Sequence, residues 1–270
     1  MSETEFLTSE ERALGQRFVA DGYVILPVED RLALDRIRDH MVLLARRRLG
    51  QGEPNDPNVF LDGVGAWVDP KAVNDFRLAM IAGINAEAWL RPAYYRLARS
   101  TLAMVVGSEL AMQRRINLSI QLPGDETSVL PSHTDTWSGD SPFEVVLWVP
   151  LVDCHDSKAM FLLPPGPNAA AAARLPELDG RGVEGLFKMI EPDLRYLVVP
   201  YGHFLLFDQN LIHGNRVNRE KTTRWSFNCR FKGLFTPYAD KKLGEFFEPI
   251  TLRPATRLGL AYRLPDGFHE

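Results

Sequence analysis

The periodicity of the chain changes near residue 112, and that change limits the folds open to it. Before it, apolar residues recur at helical spacing; after it they fall in short alternating or continuous runs broken by Pro, Gly and Asp, which is the pattern of strands. Thr8 and Glu11 form a capping-box pair, Leu14 and Phe18 follow at helical spacing, and Gly22 stands where that helix would stop. The run Tyr23–Pro27 reads as a strand. Asp30 can cap a second helix with the stripe Leu34, Ile37, Met41 and Leu44. That helix ends in Arg46, Arg47 and Arg48 before Gly50, where arginines complement the negative end of the helix rather than form a binding patch. Residues 51–75, rich in Gly, Pro, Asn and Asp, read as a surface loop able to lie over a site. A further helix is expected from about Pro92 to Gly107. The expected strands are 114–121, 144–152, 159–163, 194–199, 203–207, 212–217 and 223–231, and the Ala169–Ala173 run reads as one helical turn or a loop. Short strands in this number, without intervening helices, predict a mainly β, α+β fold: a two-sheet antiparallel jelly roll packed on N-terminal helices. No linker divides the chain, so 1–270 reads as a single domain, with helical support over 1–110, the jelly-roll core over 111–235 and a C-terminal extension over 236–270.

Composition narrows the function. The 24% charged and 45% hydrophobic fractions exclude disordered and coiled-coil classes. A net charge of -4 with Lys and Arg dispersed argues against nucleic acid and for a small-molecule partner. No apolar run approaches the ~18 residues of a membrane span, and the acidic start Met1–Glu5 is followed by no apolar leader core, so a cytoplasmic protein without a membrane partner is expected. Nothing in the sequence specifies an oligomeric state. Cys154 and Cys229 read as buried apolar thiols in a reducing compartment. Cys154 and His155 are adjacent and so face opposite ways on a strand, which rules out a thiol–imidazole pair.

Of six histidines (40, 133, 155, 203, 213 and 269), two stand in a suggestive setting. His133-Thr134-Asp135 places an imidazole and a carboxylate two residues apart, on one face of an extended segment. His213, 78 residues after Asp135, ends a short turn after the run Phe204–Phe207, where a distant strand can add a third ligand. Two imidazoles and one carboxylate are the facial triad of non-haem Fe(II) oxygenases, which leaves metal positions open for a cosubstrate and dioxygen. Arg224, eleven residues beyond His213, begins the last strand, and Ser226 shares its facing. A guanidinium fork with a nearby hydroxyl suits the far carboxylate of a dicarboxylic keto acid.

With these motifs in order, the sequence resembles the Fe(II)/2-oxoglutarate-dependent dioxygenases, most closely the phytanoyl-CoA dioxygenase-like branch, over most of its length. Phe18–Pro27 resembles the opening helix-to-strand passage of that branch, and Pro131–Asp135 its first metal motif. Gly202–Asp208, His213-Gly214-Asn215 and Arg224-Trp225-Ser226 resemble its second. The resemblance implies a double-stranded β-helix of cupin-like jelly-roll type. It also implies iron held by His133, Asp135 and His213, with 2-oxoglutarate held by Arg224. It places Trp148 beside the cosubstrate, with Ser226 adding a hydrogen bond. Asn215 departs from the Ser or Thr frequent at that position, and no upstream lysine is evident; Gln121 or Asn117 can substitute for it, or instead face solvent or satisfy backbone groups. Halide-transferring members have a small residue in place of Asp135, so the carboxylate here implies hydroxylation or a related oxidation, with dioxygen consumed and succinate and CO2 released. Candidate substrate contacts are Asn117, Trp137 and Arg230, together with Asp140 and the loop around Trp67; the tryptophans are equally explained as packing residues. The expected substrate is a small polar metabolite, such as a sugar- or natural-product-pathway intermediate. Two rivals stand beside this reading. A cupin-like metal-dependent dioxygenase or hydrolase without 2-oxoglutarate has no need of Arg224, and a metal-free binding protein has no need of His213.

Overall fold

The N-terminal signals operate as the sequence predicts. In the computed structural model, which describes residues 6–178, 180–264 and 266–267, Thr8 Oγ1 accepts from the Glu11 N–H at 3.1 Å. The Glu11 carboxylate accepts from the Thr8 N–H at 2.8 Å in return. This starts α1 (Ser9–Asp21), and Gly22 ends it at φ 78°, a left-handed conformation that costs glycine little. Met1–Glu5 and His269 lie outside the described residues. β1 (Tyr23–Pro27) follows, then α2 (Arg31–Leu49), which Asp30 caps by accepting from the Ala33 N–H.

Residues 51–75 are more ordered than a surface loop. They form α3 (Pro57–Asp62), single 3-10 turns at Val64–Ala66 and Pro70–Ala72, and the start of α4 (Val73–Asn85). Asp56 and Asp69 cap the backbone ahead of Pro57 and Pro70, so the residues that read as loop are helix-start signals. The helix expected over 92–107 begins earlier and is broken into α5 (Leu90–Arg96) and α6 (Arg99–Val105). Ala98, at φ -145°, interrupts it, and the Glu29 carboxylate accepts from the freed Ser100 and Thr101 N–H groups.

The expected strand 114–121 is shorter and is preceded by another: β2 (Leu110–Gln113) and β3 (Asn117–Gln121). β4 (Glu144–Pro150) is nearly as predicted, whereas 159–163 yields only β5 (Phe161–Leu162). The Ala169–Ala173 run lies within α7 (Pro165–Arg174), and α8 (Gly182–Ile190) follows it. Then come β6 (Arg195–Tyr196), β7 (His203–Asp208), β8 (His213–Gly214), β9 (Arg224–Gly233), β10 (Phe247–Pro249) and α9 (Pro254–Ala261). The segments 194–199 and 212–217 therefore contribute two-residue strands, and 236–270 adds a strand to the main sheet.

The large antiparallel sheet runs β1-β7-β4-β9-β2-β10, and β3 pairs with β9 beside β2; the small sheet is β6-β5-β8. β9 is the hinge of the design, pairing β4 on one edge (Trp148↔Asn228, Val146↔Arg230) and β3 on the other (Ser119↔Ser226, Gln121↔Arg224). Along β9, Trp225, Phe227, Cys229 and Phe231 are fully buried in the main core. Phe76 of α4 packs edge-on against Trp225, and Tyr94 of α5 against Phe227, so this face rests on the helices. Full burial of each such aromatic contributes about 2–3 kcal/mol. Period-two alternation then sends Arg224, Ser226, Asn228 and Arg230 to the opposite face. Residues of both sheets line the cavity there.

Candidate metal centre and its cavity

Backbone pairing fixes the first two ligands against the third. The His133 N–H donates to the His213 carbonyl at 3.0 Å and the His213 N–H to the His133 carbonyl at 2.9 Å, an isolated antiparallel bridge. Thr134 between them is extended, which puts His133 and Asp135 on one face, and the Asp135 N–H donates to Gln209 O at 3.2 Å. One ligand atom from each of His133, Asp135 and His213 lies within 4.8 Å of the others. Asp135 Oδ1 is 3.4 Å from His133 Nε2 and 3.9 Å from His213 Nε2.

Both imidazoles are oriented by the same device. His133 Nδ1 lies 2.8 Å from the Pro131 carbonyl, and His213 Nδ1 lies 2.8 Å from the Leu211 carbonyl. A carbonyl only accepts, so each Nδ1 carries a proton, and in the neutral ring Nε2 has its lone pair for a metal; protonated His133 instead donates from Nε2 to Asp135. Burial pushes His213 down to about 4, so its neutral, ligating form prevails at neutral pH. Burial would also lower His133, but hydrogen bonds to Asp135 and the Pro131 carbonyl outweigh it and raise that group.

Asp135 is divided between two partners. Its Oδ1 faces the histidines, while Oδ2 sits 2.8 Å from Arg230 Nη2. Burial raises the carboxyl, yet the His133 hydrogen bond and the Arg230 charge prevail and hold it well below the usual carboxylate range. Arg230 Nε lies 3.1 Å from Asp140 Oδ1, and Lys241 pairs with the other oxygen of Asp140, whose side chain is wholly inaccessible. Arg230 thus lines the cavity as the sequence predicts, but its guanidinium is engaged on carboxylates. Asp140 lies behind it rather than on the cavity wall.

Arg224 has the opposite character. It is 2% exposed, and its Nη2 donates to Ser119 Oγ at 2.9 Å, while Nε and Nη1 have no partner. Burial pushes its pKa down to about 10, which still leaves a cation at neutral pH. Ser226 Oγ and Gln121 Oε1 are buried without partners as well, and Gln121 Nε2 donates to the Arg216 carbonyl at 2.6 Å. Of the three, only Arg224 lines the cavity; Ser226 and Gln121, expected beside the cosubstrate, lie outside its wall, and Gln121 serves a backbone carbonyl. The cost of about 1–3 kcal/mol that an orphaned buried group carries therefore points to a ligand at Arg224.

The cavity of about 580 Å3 brings the metal triad, Arg224, Arg230, Trp148 and Asn117 together. Asn117 donates to Asn228 Oδ1 at 3.2 Å. Trp137 and Trp67 do not line it: Trp137 is 52% exposed and Trp67 stacks on Phe60 at 5.4 Å. Asn215 lines the cavity, with its Oδ1 accepting from the Leu130 N–H at 2.7 Å. The sequence reading missed Ser119, Asn228, Phe207, Lys71, Asn74 and Arg77 as lining residues. Strand alternation from Asn117 and Arg224 was a sufficient signal for Ser119 and Asn228. Lys71 and Asn74 belong to the 51–75 segment that the sequence reads as able to lie over a site, and Arg77, just beyond it, carried no such signal.

No protein-family model matches the sequence, and no curated protein matches it. Solved structures do. The nickel complex of the non-haem monooxygenase ThoJ matches at TM-score 0.56 and 14% identity, over 87% of this chain and 82% of that one. HygX from Streptomyces hygroscopicus, with nickel, 2-oxoglutarate and hygromycin B bound, matches at TM-score 0.50 and 16% identity, over 88% and 91%. EvdMO1 matches at TM-score 0.53 and 16% identity, over 83% of this chain and 50% of its own. At these identities the likeness is one of architecture: this chain shares the helix-backed jelly-roll fold of ThoJ and HygX.

Proposed function

We propose that this protein is a non-haem Fe(II)- and 2-oxoglutarate-dependent oxygenase that hydroxylates a C–H bond of a small polar molecule. The observation that carries this reading is the coexistence, in one cavity, of a carbonyl-oriented His133–Asp135–His213 triad and a buried arginine with two unpartnered nitrogens. Two imidazoles and one carboxylate fit ferrous iron and leave positions open, while Arg224 fits a carboxylate that arrives with a cosubstrate. HygX carries nickel and 2-oxoglutarate together on the same fold, nickel being a redox-inert stand-in for Fe(II). The chemistry supplied by such a metal and cosubstrate when bound is oxidation of a C–H bond by dioxygen, with succinate and CO2 as co-products.

The residues of the chain divide the remaining work. Arg224 receives the distal carboxylate of 2-oxoglutarate through N–H groups left free by the protein, and Ser119 orients the guanidinium by accepting from Nη2. Arg230 secures Asp135 Oδ2, so that the carboxylate offers the metal its other oxygen. Phe207 packs edge-on against His213 with ring centroids 4.9 Å apart and, with Trp148, keeps water from that wall. A hydrolase on the same triad has no use for a buried carboxylate anchor, which is why Arg224 favours the oxygenase.

The test is anaerobic addition of Fe(II) and then 2-oxoglutarate to the metal-free protein while the visible spectrum is recorded. A weak charge-transfer band that needs both additions is expected, and it should be absent from His213→Ala. If no band forms at any concentration although Fe(II) binds, the cosubstrate assignment fails. Metal chemistry without 2-oxoglutarate is then the better description.

A further inference from the structure

The charges on the cavity wall do not balance. Its lining cations are Lys71, Arg77, Arg224 and Arg230, and the one lining carboxylate among the described residues is Asp135. Arg230 is engaged by Asp135 and Asp140, and Arg224 is assigned to the cosubstrate. Lys71 and Arg77 remain, in a chain whose net charge is -4. Among the described residues neither has a carboxylate partner. Arg77 Nη2 donates to Asn74 Oδ1 at 2.7 Å and Nη1 to the Leu118 carbonyl at a long 3.4 Å, so both contacts are neutral. Burial and the neighbouring charge of Arg115 both disfavour the charged form of Arg77. A half-buried guanidinium beside another cation, with no acid to offset it, gains when an anion enters.

We propose that Arg77, with Lys71 and Asn74, forms a substrate subsite for an oxyanion, so that the molecule oxidised here carries a carboxylate, phosphate or sulfate group. This rests on the oxygenase reading and deepens it: the metal triad and Arg224 face the reacting end, while Arg77 of α4 and Lys71 of the 3-10 turn before it hold the charged end on another part of the cavity wall. Asn117, on β3 next to Leu118, adds a neutral polar group to that wall. Two cations and two amides recognise an oxyanion through charge-assisted hydrogen bonds; Lys71 and Asn74 are exposed, but a neutral substrate would leave the half-buried Arg77 unmatched.

The test separates this subsite from the cosubstrate anchor by working in metal-free Arg224→Met protein, where the deeper anion site is removed. Inorganic phosphate, sulfate and acetate are titrated separately at constant ionic strength, with chloride as the reference, and binding is followed by calorimetry. At least one of the three should bind more tightly than chloride. That affinity should fall about fivefold in Arg77→Gln, recover in part in Arg77→Lys and stay unchanged in Lys188→Gln, whose site is an exposed helix position away from the cavity. Preference for acetate over the tetrahedral anions assigns a carboxylate substrate, and the reverse a phosphate or sulfate. If no anion outcompetes chloride, or if Arg77→Gln binds as its parent does while retaining its melting temperature, the proposal is overturned. Neither outcome depends on whether iron and 2-oxoglutarate bind, so the oxygenase reading stands or falls separately.

Discussion

The two faces of β9 both carry buried residues, fully on one side and at Arg224 and Ser226 on the other, yet they are built on opposite principles. On the helix side, Trp225, Phe227, Cys229 and Phe231 fill space against Phe76, Tyr94 and Tyr95, and the indole N–H of Trp225 donates to the Leu61 carbonyl at 2.9 Å. Every group there has its partner. On the opposite face, Arg224 and Ser226 are buried as well, but Nε and Nη1 of the first and Oγ of the second are left unmet. Burial alone therefore does not say whether a residue serves stability or function. Unmet hydrogen bonds add the missing information where they face a cavity, as at Arg224, because there a ligand can offset their cost.

The contrast predicts that neighbouring residues on one strand fail in different ways. Trp225→Ala removes a fully buried aromatic and should cost about 4 kcal/mol of stability by urea denaturation. Folded Trp225→Ala protein should still need the same 2-oxoglutarate concentration. Arg224→Met, one position away, should raise that concentration about 100-fold, since it deletes a charge-assisted, desolvated contact. It should leave the denaturation midpoint of the metal-free protein unchanged or higher, because an unpaired buried cation gives way to an apolar chain. A large stability loss in Arg224→Met, or a cosubstrate defect in Trp225→Ala, would erase the distinction between the faces.

The same contrast explains what the sequence disclosed. His133, Asp135 and Arg224 were legible because spacing by two or by a short turn is a local property of extended chain, and Ser119 and Asn228 follow from that rule. Arg77 was not. Helical spacing identifies Phe76 and Met80 as core-facing, but it does not say that α4 lies along β3 and brings the next residue to the cavity. That placement comes from distant contacts, such as Phe76 on Trp225 and the Gly65 N–H donating to Thr223 Oγ1 at 3.3 Å. The break between α5 and α6 was hidden for the same reason, since its freed N–H groups are met by Glu29, some 70 residues away. The small sheet was over-read because apolar runs such as 159–163 continue beyond the two residues that pair. Apolar content marks burial and does not by itself set the length of a ladder.

Glu144 offers the smallest effect and the finest test of the comparison, because it is a buried polar group of the main sheet whose hydrogen bonds are met. It is 1% exposed; its carboxylate accepts from the Ser141 N–H at 2.9 Å and from Gln209 Nε2 at 3.2 Å. Burial pushes it up to about 7, the Ser141 hydrogen bond opposes that, and the charge of Asp140 adds to it. A carboxyl raised from 4.5 binds its proton more tightly in the folded state. Its contribution to stability is therefore complete below pH 4.5 and is lost as pH rises through about 7. Glu144→Gln keeps a neutral side chain at every pH, so between pH 5 and 8 it should gain on the wild type by about 1–2 kcal/mol. The difference between the two proteins is the quantity to measure, by urea denaturation at both pH values. His213, lowered by burial to about 4, makes stability rise with pH up to its unfolded value of 6.5, and it does so in both proteins alike. The 2-oxoglutarate requirement should not move, since Glu144 has partners already and no ligand is needed to supply them. Parallel pH profiles would mean that Glu144 stays ionised in the fold, and a shifted cosubstrate requirement would mean that a satisfied group can belong to the site after all.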